Sequence, residues 1–224
     1  MIKEKEKNAI PYFTVGGLFA ILFTFLLVNV VGETTWLAGF DSYWNLILRS
    51  SLTAGKTSLF IAITNVGGVP TVGFLTFVMV CVLWFKKLKS AAIWFGSTML
   101  IGGAAIPLLF KFIVGRERPL QQLIAETGFS FPSGHSSGTT VFFGLLIMMG
   151  MLYLKKSFQK AVLFIACLAW IWLIMYSRVY LGVHYPSDVV GGFCLGMALV
   201  NVSTGSYLYY LNRKSALPAL SVPQ

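Results

Sequence analysis

Long apolar runs alternate with short polar or basic breaks along most of the chain. The runs extend from about Tyr12 to Val31, Pro70 to Phe85, Ala91 to Val114, Ser136 to Leu154, Ala161 to Tyr176 and Val189 to Tyr210. A bilayer core about 30 Å thick is crossed by about 20 helical residues, so each run is of spanning size. The second begins earlier, near Leu59, but Asn65-Val-Gly67-Gly68-Val-Pro70 interrupts it. Gly-Gly before Pro breaks helices, which predicts a short helix and then a span from about Pro70; a single kinked helix is the other solution. Between the first two spans, Asp41 to Arg49 presents Trp44, Leu46, Ile47 and Leu48 on an apolar side, the pattern of a short interfacial helix. The expected fold class is therefore all-α: an integral membrane bundle of six transmembrane helices forming one domain over residues 1–214. The proline-containing tail, 215–224, is expected to be disordered.

Composition agrees. Hydrophobic residues make up 57% of the 224 positions and charged residues 11%, against about 25% charged in soluble domains. The net charge of +10 would suggest a nucleic-acid partner in a soluble protein. Here the basic residues punctuate apolar spans, so nucleic acid is not expected and the lipid bilayer is the partner. Cys81, Cys167 and Cys194 lie inside apolar runs without paired spacing and read as small core residues. Lys3, Lys5, Lys7, Lys86, Lys87, Lys89, Lys155, Lys156, Lys160, Arg213 and Lys214 flank alternate span ends. The positive-inside rule places these and both termini in the cytoplasm. The remaining ends, and any site built on them, then face outward across the plasma membrane.

Those outward ends carry the chemistry. Lys111 and Arg118 are seven apart, and on a helix continued that far they would share a face, with Arg116 pointing elsewhere and Pro119 ending the helix. Pro132-Ser133-Gly134-His135 opens the fourth span. A helix start offers free N–H groups and positive dipole character to an anion, Gly134 allows close approach, and Ser133 can cap or donate its hydroxyl. Arg178, His184 and Asp188 straddle the hairpin before the last span. A carboxylate on one imidazole nitrogen fixes the tautomer and makes the other more nucleophilic. His135 and His184 are the two histidines of the chain, and both are expected at the face that holds the three cations. Two histidines and one aspartate could also ligate a metal, but Lys111, Arg118 and Arg178 would repel it, so no metal or other cofactor is expected.

Lys-x6-Arg-Pro, Pro-Ser-Gly-His and Ser-Arg-x5-His-x3-Asp, spanning Lys111 to Asp188, resemble the three-part signature of the type 2 phosphatidic acid phosphatase superfamily. That superfamily includes phosphatidylglycerophosphatase B-like enzymes, undecaprenyl pyrophosphate phosphatases, glucose-6-phosphatase and vanadium haloperoxidases. The resemblance implies a metal-independent phosphatase with a helical-bundle fold. Lys111, Arg118 and Arg178, with Ser133 and the Gly134 amide, would bind phosphate oxygens. His184 would form a phosphohistidine, Asp188 would activate it, and His135 would protonate the leaving oxygen. The implied substrate is a lipid (pyro)phosphate such as undecaprenyl pyrophosphate, phosphatidylglycerophosphate or phosphatidic acid. Two alternatives stay open: a lipid-phosphate transporter or flippase using the cations without hydrolysis, and a vanadate-binding haloperoxidase, which this hydropathy opposes.

Overall fold

In a computed structural model the chain is described from residue 8 to residue 216, with side chains to residue 214. Lys3, Lys5 and Lys7 and most of the tail expected to be disordered lie outside the described residues; Ser215 and Ala216 still belong to the last helix. The described residues form helices and no strands: α1 (Ile10–Val31), α2 (Thr35–Leu48), α3 (Ala54–Val66), α4 (Val69–Phe85), α5 (Lys89–Thr98), α6 (Ile106–Val114), α7 (Gly134–Tyr153), α8 (Ser157–Tyr180) and α9 (Pro186–Ala216). Six helical stretches are long and apolar enough to cross a membrane, with α3–α4 and α5–α6 each counting as one.

α7 and α9 form the centre. In each, 61% of the apolar stretch is buried, against 22% in the first three. Lipid offers no hydrophobic gain for helix pairing, so association rests on close packing of small residues. Gly192 and Gly196 provide this one turn apart on α9: an added Cβ would stand 2.7 Å from the Ser133 carbonyl oxygen and 2.8 Å from Thr140. α1 packs along the opposite side of α9, and α8 along α7. The outer surface keeps large apolar side chains exposed, among them Phe85, Leu100 and Phe112, as lipid-facing surface would.

The second and third spans are both broken. α3 ends at Val66, and α4 begins at Val69 after an extended Gly68, so a short helix and a span meet at the Gly67-Gly68 step. α3 begins at Ala54, earlier than the hydropathy suggested, because Thr53 caps it by accepting from the Lys56 N–H. Between α5 and α6 the chain widens into a π-helical stretch, Met99–Ala105, which hydropathy cannot reveal. Pro107 has no N–H to give to the Gly103 carbonyl four residues back, which favours this loosening.

Three local expectations change. The helix carrying Lys111 stops at Val114, where Gly115 takes the left-handed conformation (φ 64°), so it does not run on to Arg118 and Pro119. α8 extends past Tyr176 to Tyr180, which puts Arg178 inside its last turn. α2 starts at Thr35, six residues before Asp41. Asp41 therefore sits in mid-helix and is buried, while Trp36, Tyr43, Trp44, Leu46 and Ile47 are exposed. α2 thus turns apolar groups outward and a carboxylate inward.

Candidate active site

Four helix ends meet at one end of the bundle: the C-termini of α6 and α8 and the N-termini of α7 and α9. Ser133 is the N-cap of α7; its hydroxyl oxygen accepts from the Ser136 N–H (3.4 Å) and hydroxyl (3.0 Å). Its own N–H donates to the Asp188 carbonyl at 3.0 Å, which ties the starts of α7 and α9 together. Ser133 is fully buried, and its hydroxyl proton remains available beyond the cap. Gly134 and His135 occupy the first helical positions, whose N–H groups have no intrahelical partner. Lys111 lies beside Gly134 (a Cβ there would be 3.8 Å from the Lys111 Cε), and its ammonium donates to the carbonyls of Phe129 and Ser130.

His184 precedes α9 instead of lying on it, yet it still meets Asp188. Tyr185 and Asp188 form the cap turn: the Tyr185 N–H donates to Asp188 Oδ2 at 2.8 Å. The same oxygen is 3.4 Å from His184 Nδ1. His184 Nε2 is 3.2 Å from a terminal nitrogen of Arg118. A guanidinium can only donate, so Nε2 accepts and the proton belongs on Nδ1, facing the carboxylate. His184 is 1% exposed. Burial, and then the charges of Arg178, Arg118, Lys111 and His135, hold its imidazole neutral well below the usual histidine value. The same charges place all three cations and the second imidazole within electrostatic reach of His184.

Arg178 is buried (1% exposed). One terminal nitrogen donates to Thr64 of α3 (3.0 Å) and the other to Glu126 (2.8 Å). Arg118 is 3.9 Å from the second Glu126 oxygen and is braced by the carbonyls of Val183, Gly128 and Thr127. Two guanidiniums thus converge on one carboxylate. Burial would raise the Glu126 pKa, but Arg178, with His135 and Arg118, holds it below the ordinary glutamate value. The Nε of Arg178 is buried without a hydrogen-bond partner among the described residues, an uncommon condition for a charged donor. His135 faces the break in the second span, where a Cβ on Gly68 would be 3.6 Å from its Nε2.

A groove of about 460 Å³ runs from the lipid-facing surface to this site. Val72, Met99, Gly103 and Leu108 line it, and Lys111 and Gly134 close its inner end. The π-helical stretch forms one wall. A second groove, of about 580 Å³, lies at the other end of α5 and α9, away from the cations.

All eight residues singled out from the sequence come together at this end, though Lys111 and Arg118 do so through a loop and not along two helical turns. Sequence reasoning missed Glu126, Thr64, Asp41, Ser187 and the role of Arg116. Arg116, in the loop after α6, pairs with Asp188 and Asp41. Asp41 was the one available signal, since a carboxylate within an apolar membrane-edge segment calls for a partner.

Comparison with known proteins matches this arrangement. The sequence profile of the PAP2 superfamily fits residues 91–212. Phosphatidylglycerophosphatase B of Bacillus subtilis is 38% identical over 113 residues, covering 47% of this chain and 55% of that protein. A lipid A 1-phosphatase of Rhizobium etli is 32% identical over 117 residues, 46% of each. The matched region thus covers about half the length of these curated relatives. The crystal structure of a transmembrane PAP2-type phosphatidylglycerolphosphate phosphatase from Bacillus subtilis superimposes with a TM-score of 0.75 at 23% identity, over 92% of this chain and 98% of that one. Aquifex aeolicus LpxE gives a TM-score of 0.55 at 21% identity, over 72% and 92%. These structures share the fold, and the profile extends over more than half of the sequence, from α5 into α9, including Lys111, Arg118, Ser133, Gly134, His135, Arg178, His184 and Asp188. On that ground the chain belongs to the PAP2 superfamily.

Proposed function

We propose that the chain is an integral membrane lipid phosphatase that hydrolyses a lipid (pyro)phosphate through a phosphohistidine on His184. One observation carries this reading: Arg118 and Arg178 already converge on an oxyanion, the Glu126 carboxylate, beside a neutral imidazole whose other nitrogen faces Asp188. A phosphate entering there displaces Glu126 and takes the Arg178 and Arg118 donors, Lys111, the Gly134 amide and the Ser133 hydroxyl. Arg118 turns its donor from Nε2 to a phosphate oxygen, which frees the lone pair. Nε2 attacks phosphorus in line, and the bond to the leaving oxygen breaks as His135 supplies its proton. His135 then takes a proton from water, the hydroxide attacks phosphorus, and Nε2 departs with its bonding pair. The cations neutralise the phosphoryl oxygens in the way metals do elsewhere. Among the described residues no group of three or more His, Cys, Asp or Glu could hold a metal ion.

The groove ending at Lys111 and Gly134 supports lateral entry, with the headgroup at the cations and the apolar tail in the bilayer. The relatives named for phosphatidylglycerophosphate and lipid A support the same substrate class. The decisive experiment is phosphate release by purified protein from phosphatidylglycerophosphate, phosphatidic acid, undecaprenyl pyrophosphate and lipid A, with chelator present. Turnover is expected on at least one, with vanadate a competitive inhibitor because it adopts the five-coordinate geometry at phosphorus. Binding without release from all four would favour the transporter reading, and restoration by added metal would overturn metal independence.

We further assign the site to the outer face of the plasma membrane and both termini to the cytoplasm, from the basic residues at alternate span ends, with α2 seated at the interface. Ala125 is exposed in the loop before α7. In a cysteine-free background, Ala125→Cys is expected to react with a membrane-impermeant thiol reagent from outside intact cells. Labelling only from the cytoplasmic side would invert the orientation.

The acid limb of kcat/KM reports the free enzyme. His184 is kept neutral by burial and three cations, so this limb should not follow the ordinary histidine value of about 6.5. Removing one cation favours the imidazolium and raises its pKa, so Arg118→Gln should move the limb to higher pH. The substrate's own titration is common to both enzymes and cancels in the comparison. A limb unmoved by Arg118→Gln would detach it from His184.

A further inference from the structure

Arg116 faces away from the cation cradle. One terminal nitrogen donates to Asp188 Oδ1 at 2.7 Å and to the Ser187 hydroxyl at 2.8 Å, and the other donates to Asp41 Oδ2 at 2.7 Å. Its guanidinium stacks over the Tyr185 ring, 4.1 Å from the centroid. Asp41 projects from α2 and also accepts from the Ser187 N–H (2.8 Å) and hydroxyl (2.7 Å). Asp41 and Asp188 are buried, at 4% and 0% exposure.

The two oxygens of Asp188 therefore do different work. Oδ2 accepts from Tyr185 and faces His184 Nδ1, and Oδ1 is held by Arg116. A carboxylate free to turn about its last bond would exchange these oxygens and weaken its hold on one imidazole tautomer. We propose that Arg116, and Asp41 behind it, are positioning residues: they fix the plane of the Asp188 carboxylate, and with it the Nδ1-protonated form of His184, so that phosphoryl transfer depends on α2 being docked. Asp41 adds a second effect. A guanidinium paired with Asp188 alone would draw off the charge that polarises His184, whereas one shared between two carboxylates leaves that side net negative. α2 suits this coupling because its exposed face is aromatic and aliphatic and its one buried carboxylate reaches the catalytic network.

The inference rests on His184 as nucleophile and Asp188 as its orienter, so its test includes a readout independent of turnover. With two histidines in the chain, imidazole nitrogens can be followed by NMR in ¹⁵N-histidine-labelled full-length protein in detergent, with His135→Ala assigning the pair. Wild type is expected to show His184 protonated on Nδ1, and Arg116→Ala a mixture of tautomers. In parallel, kcat on dioctanoyl phosphatidic acid is expected to fall about 10- to 100-fold in Arg116→Ala, the range typical of partners that orient a reacting group. KM and the vanadate inhibition constant should stay within about threefold. Arg116→Lys should recover part of kcat, and Asp41→Asn, which keeps the side-chain volume, should lose about tenfold. An unchanged tautomer with unchanged kcat in Arg116→Ala would overturn the proposal. So would a loss of vanadate affinity matching the loss of kcat, because the residue would then be supporting the cradle. A tautomer shift in a protein whose wild type releases no phosphate would refute the phosphatase reading and leave the coupling of Arg116 to His184 standing.

Discussion

Replacing His184 with alanine is expected to lower lipid phosphate turnover by about 10⁴-fold or more, the scale seen when a covalent nucleophile is lost and only the binding groups remain. The chain has one other imidazole, His135, at the start of α7. It faces the break in the second span and, among the described residues, no carboxylate is hydrogen-bonded to it as Asp188 is to His184, so it is not expected to substitute. Lys111 and Arg178 make no hydrogen bond to His184, and Arg118, which loses Nε2 as an acceptor, keeps the carbonyls of Gly128, Val183 and Thr127, so KM and vanadate inhibition should move only a few-fold. Rapid quenching with ³²P-labelled substrate should trap an acid-labile phosphoenzyme in wild type and none in the variant. Turnover within tenfold of wild type would remove His184 as the nucleophile.

Asp188→Asn should cost about 10² to 10⁴ in kcat, by analogy with the carboxylate that orients a catalytic imidazole in serine proteases. An amide can present N–H to Nδ1, which favours the opposite tautomer and puts a proton on Nε2. That proton also opposes the donor of Arg118, which stands 3.2 Å away. Stability should suffer less than activity. With the NH2 in the Oδ2 place the amide oxygen still accepts from Arg116, which also retains Asp41, while the Tyr185 N–H loses its acceptor, so about 1–3 kcal/mol is expected, the cost of an impaired buried hydrogen bond. Thermal unfolding in detergent separates the two effects. A rate within threefold of wild type would make Asp188 a structural partner, and the Arg116 inference would lose its target.

How much of the site could be read along the chain depended on where each residue stood. Lys111, His135, Arg178, His184 and Asp188 lie next to apolar spans, where an uncompensated charge is costly and therefore conspicuous. Counting spans brings their helix ends to one membrane face. Glu126 and Arg116 lie in the polar loop 115–133, where charged residues are ordinary and carry no signal. Thr64 is one hydroxyl in an apolar run, and only the fold brings Arg178 to donate to it. The path from Lys111 to Arg118 was misjudged because α-helical spacing cannot foresee a left-handed glycine at 115.

Hydropathy, loop charge and the order of polar segments determined, without coordinates, that the chain forms six apolar helical stretches and that its histidines and cations belong to one end of the bundle. Both follow from local physics: spans must be about bilayer length and apolar, and chain direction alternates from span to span. The tertiary structure decided which groups touch. It set the proton on His184 Nδ1 through Arg118, brought Glu126 between two guanidiniums, and linked α2 to Asp188 through Arg116. Apart from Arg118 with Glu126, which share one loop, these contacts join residues 52 to 75 positions apart. Such pairings are fixed by helix packing and by the breaks at Gly67-Gly68 and Met99–Ala105, not by any spacing along the chain.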